Sequence, residues 1–486
     1  MSFNYRLIIK ILCIVTAILG GAMTIPLLTA LTYHEWREVT SFFILMLILI
    51  PLGYGGFKII RPTTQKLKMR DGYLVVASCW ITASLLGALP YFISGCTPID
   101  GIFESVSGFT TTGATVIDIE SAPRSLLMWK GISNWLGGMG ILVLAISILP
   151  ALGISAYSLA YAEVPGISLS KVANRISDSS KMLYLFYCLF TVVEFILLWI
   201  GPMPAFDAII TTMGSVSTSG LTTTYDIFLS YNSLYVDLII CIFTFLASIN
   251  FTLYYHVINK NWHTVFHDIE FRSYVAILGI GSALITCTLY FTNSYNFIDS
   301  IRYGMFQAMA FSTTSGFAII GHESWPSFCI LILCVLMLIG GCSSSTCGSI
   351  KVIRILVALK LVGRGFMKRI HPRAVYAVKL GGKAIPAQKV SHLTAFIMLY
   401  FVIIMVSSVV LSLQNLDLFT TLTSSLAMIS NTGLGFGLVS NADYSVYCPP
   451  LRLVLCMLMI IGRLELFTII VLFVPSFWNP DKYNIH

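Results

Sequence analysis

Four short segments of the chain are variations on one phrase: FTTTGAT (109–115), VSTSGLT (216–222), STTSGFA (312–318) and ISNTGLG (429–435). Each sets two small hydroxyl or amide residues directly before a glycine and places an apolar residue after it. The glycines, Gly113, Gly220, Gly316 and Gly433, stand 107, 96 and 117 residues apart, the signature of a fourfold internal repeat. An ordinary Gly/Thr turn between helices accounts for one such phrase but not for four at matching places. Recurring between long apolar runs, the phrase is what a single-chain ion pore requires: four backbone loops, one per repeat, around an axis.

Composition supplies the setting. With 57% hydrophobic and 10% charged residues and a mean hydropathy of +0.87, the chain reads as a polytopic membrane protein. Ten apolar runs reach the length that crosses a bilayer core, about 20 residues: 8–30, 40–57, 73–93, 132–152, 183–201, 234–257, 274–292, 328–350, 391–413 and 451–475. The first is too long and too soon followed by a second to be a cleaved signal peptide. Residues 58–70 hold five Lys or Arg and residues 351–383 hold nine, both without an acid. These stretches are expected on the cytoplasmic side. Arg6 and Lys10 put the N-terminus there, and ten spans return Asp481 and Lys482 to the same side, leaving all four phrases external. Loops facing anionic lipid explain the net charge of +8 without any nucleic-acid partner. The 12 cysteines are scattered, with no C-x-x-C pair, and read as small buried hydrophobes.

The repeats organise the chain into two leading helices and a basic loop (1–70), followed by repeats over 71–160, 161–260, 261–385 and 386–486. Each repeat reads as helix, re-entrant segment, helix. Asp100, Asp207, Asp299 and Asp417 precede their glycines by 13 to 17 residues, a stretch too short to span. It suits a half-helix whose positive end meets the acid and whose carbonyl end points at the pore. Non-helical backbone at that depth is tolerated only where it lines a cavity.

The phrases suggest coordination by backbone. A cation that sheds water needs its oxygens replaced, and peptide carbonyls do this if the chain bends to face one axis. Glycine tolerates the φ this requires. Thr111, Thr112, Thr218, Ser219, Thr314, Ser315, Asn431 and Thr432 are small enough to let four backbones approach, and can hydrogen-bond the outward face of the loops. Further along, 24–30 residues after each glycine, the following helices cease to be uniformly apolar: WLGGMGI (135–141), SINFTLY (248–254), GGCSSSTCGSIK (340–351) and IGRLELF (461–467). Glycines and hydroxyl residues crowd the third so densely that it is expected to unwind and protrude beneath the filter. A close packing patch of small residues is the alternative. Arg463, in an otherwise apolar final run, should face the cavity and not lipid. Glu465 points to a different side of a regular helix and so is not expected to be its partner.

Over essentially its whole length the chain resembles the TrkH-type subunits of the Trk/Ktr/HKT superfamily of potassium-translocating proteins. The strings SGFTTTGAT, WLGGMGILVLAISILP, IGGCSSSTCGSIKVIRIL and GRLELFTIIVLF carry the resemblance. It implies an all-α polytopic fold with four helix–pore-loop–helix repeats around one central pore, in a bacterial inner membrane. It further implies potassium as substrate, with no cofactor in this chain, held only at a filter built on the four glycines. An intramembrane gate would comprise Gly340, Gly341, Cys342, Ser343, Ser344, Ser345, Thr346 and Gly348, with Arg463 as the buried pore arginine. A homodimer and a cytoplasmic TrkA-type nucleotide-binding regulatory subunit are implied as partners. The sequence departs from relatives at TTSG in the third phrase and at Cys347 and Ser349, where glycines are usual.

A proton- or sodium-coupled potassium symporter needs intramembrane ionisable groups, for which Glu194 and Asp237 are candidates, the latter expected at the outer interface. An enzyme is disfavoured, because the chain has no phosphate loop, no H-E-x-x-H and no Cys/His cluster. Nucleotide control would therefore have to come from a partner.

Overall fold

Helix length decides which apolar runs can cross a bilayer. The computed structural model describes residues 3–62, 68–140, 176–225, 230–292, 294–319, 321–374, 376–381 and 383–478. Six helical stretches there are long and apolar enough to span, and two bent helix pairs raise the number to eight. The leading pair comprises α1 (Tyr5–Ala22) continued by α2 (Thr24–Thr32), then α3 (Trp36–Ile59). Each repeat opens with a long helix: α4 (Met69–Ile93), α7 (Ile176–Ile200), α12 (Ile269–Phe291) and α16 (Ala387–Leu411).

A short helix follows each of these: α5 (Pro98–Phe109), α8 (Ala205–Val216), α13 (Phe297–Ser312) and α17 (Leu418–Ile429). At 1.5 Å per residue, their 12 to 16 residues cannot cross a core of about 30 Å. Their N-termini fall where the acids predict. Asp100, Asp207 and Asp299 lie in the first turns, and Asp417 is itself an N-cap whose carboxylate accepts from the Thr420 amide at 2.8 Å.

The second helix of each repeat departs from the sequence expectation, because none continues as one straight span. Helix α6 (Arg124–Gly138) stops at its paired glycines, and the remainder of the 132–152 run, from residue 141, lies outside the described residues, as do Asp481 and Lys482. Helix α9 (Leu234–Ser248) turns through 102° into α10 (Thr252–Ile258), beyond which α11 (Trp262–Phe266) leads into repeat 3. Helix α14 (Ser327–Ile339) ends after 13 residues, so the expected 328–350 span is only half helix. Residues 340–351 are non-helical and lead to the basic α15 (Val352–Ile370). Helix α18 (Pro449–Arg463) turns through 109° into a short helical run from Phe467. A hydropathy window counts apolar residues but does not see the glycines, Ser248, Asn250 and Arg463 that interrupt the ladder.

One large buried cluster joins the leading helices to repeat 1 through Leu7, Ile11, Phe42, Trp80 and Trp129. A second joins repeats 2 and 3, with Ile240, Leu289, Phe311 and Leu333. Long apolar side chains such as Leu47, Leu52, Ile200, Phe291 and Met405 point outward, as a lipid-facing surface requires. Among the described residues the only strands are the two-residue β1 (Lys379–Leu380) and β2 (Lys383–Ala384), an antiparallel pair in the basic stretch.

Candidate functional site

All four phrases meet. Each begins where a short helix ends, and in each the chain enters the left-handed region twice. The first entry is at Thr111, Thr218, Thr314 and Asn431 (φ 54 to 57°), the second at Gly113, Gly220, Gly316 and Gly433 (φ 65 to 78°). Threonine in that region is strained by about 1–3 kcal/mol, so three such threonines at equivalent places mark a backbone held for a purpose other than stability. The loops curl back onto their own helices: the amides of Thr112, Ser219, Ser315 and Thr432 donate to the carbonyls of Ser107, Gly214, Ala310 and Ala427 at 2.8 to 3.0 Å.

The loops also close into a ring. A Cβ placed on Gly113 would lie 1.8 Å from the Ser219 carbonyl oxygen, one on Gly220 2.1 Å from that of Ser315, one on Gly316 2.0 Å from that of Thr432, and one on Gly433 2.0 Å from that of Thr112. Each glycine therefore abuts the carbonyl that precedes the glycine of the next repeat, and the fourth returns to the first. No side chain larger than hydrogen fits in that ring. Repeats 1 and 4 are further joined where the Thr115 amide donates to Ala442 and the Tyr444 amide to Thr115.

Hydroxyls brace the ring from behind. Thr110 pairs with Thr112 (2.7 Å), Ser217 with Ser219 (3.0 Å), Thr313 with Ser315 (3.1 Å) and Ser430 with Thr432 (2.8 Å). Sequence reasoning named the second member of each pair and missed the first, although a hydroxyl residue two positions earlier in all four phrases was the available signal. Asn431 differs from its three counterparts: its Nδ2 donates across to Thr112 Oγ1 at 3.0 Å and to the Met459 carbonyl at 2.9 Å.

Beneath the ring, the four helix breaks meet in one layer. Residues 340–351 occupy its centre, and a cavity of about 100 Å³ borders Gly138, Ser344, Ser345, Gly348, Lys351 and Arg463. The loop is tied directly to repeats 2 and 3. The Gly348 amide donates to Thr314 Oγ1 in the third phrase (3.0 Å), and Cys342 and Thr346 donate to Ser248 and Ala247 at the break in repeat 2. Ser343 donates through both amide and hydroxyl to Glu270 Oε1. Gly340 takes φ +73° and ψ −163° to end α14, a conformation that glycine alone adopts readily. Ser349, a departure from the usual glycine, holds φ +67° while its hydroxyl donates to the Met337 and Leu338 carbonyls freed by the break.

Arg463 joins the loop to repeat 1. Its Nη1 donates to the Thr346 carbonyl (2.7 Å), and its Nη2 donates to the Gly137 and Gly138 carbonyls (2.5 and 2.7 Å) at the C-terminus of α6. It faces the cavity as expected, but it ends α18 instead of sitting mid-helix. Glu465, just beyond the bend, is not the partner of Arg463; it accepts from Lys351 (3.0 Å) and Arg354 (2.5 Å). No local pattern announces this second clamp, nor Glu270, because all three contacts depend on helices breaking at one level.

The two coupling candidates are both engaged. Glu194 accepts from Ser215 in the short helix of repeat 2. Asp237 lies in the first turn of α9, at the helix end expected to be external, where it is buried and pairs with Arg302 at 2.5 Å.

Comparison with known proteins places this architecture. The TrkH family model, described as a cation transport protein, matches residues 39–480. The Trk system potassium uptake proteins TrkH of Salmonella typhimurium and Escherichia coli K12 are each 34% identical to this chain over 98% of it and all of their own length. The crystal structure of the potassium transporter TrkH from Vibrio parahaemolyticus superposes with a TM-score of 0.88 at 31% identity, covering 98% of this chain and all of that one. Matched over nearly its whole length in sequence and in a nearly all-helical membrane fold, the chain belongs to the TrkH family of cation transport proteins.

Proposed function

We propose that this protein takes up potassium across a bacterial inner membrane through a channel-like pore, with dehydrated ions held at the ring of Gly113, Gly220, Gly316 and Gly433 and their preceding carbonyls. The observation that carries this reading is the cyclic closure of the four phrases, since a ring of backbone oxygens is the arrangement that replaces a cation's water. The half-helices Pro98–Phe109, Ala205–Val216, Phe297–Ser312 and Leu418–Ile429 end at that ring, adding partial negative charge. Residues 340–350 and Arg463 form the gate beneath it. The basic stretches 58–70 and 351–383, and both termini, face the cytoplasm, where a TrkA-type nucleotide-binding subunit bears on a homodimer.

The relatives' shared role in potassium uptake supports the substrate, and the pairing of Asp237 with Arg302 favours uncoupled passage over symport. Radiolabelled rubidium flux into liposomes containing this chain alone tests the reading. Uptake driven by the rubidium gradient, with no proton or sodium gradient imposed, is expected; uptake that vanishes without one of those gradients would make the protein a symporter.

A further inference from the structure

Behind the filter of repeat 1, two charges are buried together. Glu104 on α5 and Lys130 on α6 are 1% and 3% exposed, and Lys130 Nζ lies 2.6 Å from Glu104 Oε2. Both also grip the chain just after Gly113. Lys130 Nζ donates to the Ala114 carbonyl at 3.0 Å, joined there by the Ser107 hydroxyl at 2.6 Å. Glu104 Oε1 accepts from the Val116 amide at 2.7 Å and the Thr115 hydroxyl at 2.8 Å.

The other repeats lack this device. Glu104 stands nine residues before its glycine and Lys130 seventeen after; the matching positions are Thr211 and Asp237, Gln307 and Leu333, Ser424 and Pro450. Repeat 4 holds the equivalent amide, that of Phe436, with the neutral Thr423 hydroxyl at 3.2 Å. A neutral bond of that length suffices for packing. A buried ion pair costs desolvation and is retained where it fixes geometry, and charge-assisted bonds are shorter and stronger than neutral ones. The carbonyl it grips belongs to the residue following a glycine that could otherwise swing freely.

We propose that Glu104 and Lys130 are positioning residues for ion selectivity: they hold the Ala114 carbonyl away from the axis and so fix the Gly113 segment of the ring, making repeat 1 the stiffest quarter of the filter. The inference rests on the filter reading above. Its test is the potassium-to-sodium permeability ratio of purified, reconstituted protein, together with total rubidium flux and monodispersity. E104Q and K130M are each expected to lower the ratio at least tenfold while rubidium flux persists. The double variant E104Q/K130M, which leaves no unpaired buried charge, should fold and stay unselective, because the Ala114 carbonyl still lacks its cationic donor. K130R retains charge and donor and should keep the ratio within about twofold of wild type. If the singles do not fold, the double variant and K130R decide between them. A monodisperse double variant with the wild-type ratio overturns the inference, as does a K130R variant as unselective as the double. Failure of the filter reading itself looks different, since wild-type protein would then show no potassium preference at all.

Discussion

Removing the guanidinium of Arg463 is the most direct test of the layer beneath the ring. Arg463→Ala deletes the donors to the Thr346, Gly137 and Gly138 carbonyls, which tie the intramembrane loop to the end of α6. Hydrogen bonds to a charged group contribute about 1.5–3 kcal/mol each. Arg463 is only half-buried beside a cavity of about 100 Å³, so water can take over part of what the carbonyls lose. One bond's worth, about 2–3 kcal/mol, is the net loss to assign to the closed arrangement. At 1.4 kcal/mol per decade this is roughly a 30- to 140-fold shift toward the open state. A pore open about 1% of the time would then be open at least about a fifth of the time. Rubidium flux into liposomes should rise by an order of magnitude or more and depend less on the proposed regulatory partner. Arg463→Lys keeps a cation with donors at the same place and should largely preserve control. An alanine variant with wild-type flux and intact regulation would refute the gating role and leave Arg463 as a packing element.

Three further outcomes are expected. Gly113→Ser, which forces a side chain against the Ser219 carbonyl at positive φ, should reduce the potassium-to-sodium permeability ratio more than total flux; an unchanged ratio counts against the filter assignment. Deleting Ser343–Ser345 removes the Glu270 tether and should raise basal flux without altering ion preference, whereas lower flux or changed selectivity would make the loop part of the packing or the filter. Hydrogen bonds from the Thr420 hydroxyl and amide hold the Asp417 carboxyl below the usual carboxylate range. Its stabilising effect should therefore be full above the unfolded value near pH ~4 and disappear as pH falls through the lower folded value. Asp417→Ala should cost about 1 kcal/mol at neutral pH, and melting curves from pH 7 to 3 should show the variant losing less on acidification than wild type.

Local signals were enough for part of the fold. The apolar runs set the long helices, an acid in each case set the start of the short ones, and the repeated glycine phrase announced four loops at matching places. These are properties of a residue and its near neighbours, and the bilayer makes them binding, since lipid tolerates no unpaired backbone. The unwinding of 340–351 was legible for the same reason: too many glycines and hydroxyls stand together for a helix in lipid.

What tertiary structure decided is which groups meet across repeats. That each phrase glycine lies against the carbonyl of the next repeat, and the last against the first, depends on four loops closing a circle from segments about a hundred residues apart. The breaks after Gly138, Ser248, Ile339 and Arg463 become one layer only once the four helices stand side by side. In that layer Arg463 caps a helix from the opposite end of the chain, and Glu465 takes Lys351 and Arg354 as partners. Glu104 and Lys130 are 26 residues apart on separate helices and carry no motif. A charge in an apolar run tells the reader that a partner exists, because burying it alone is costly, but the identity of that partner is fixed only by the packing.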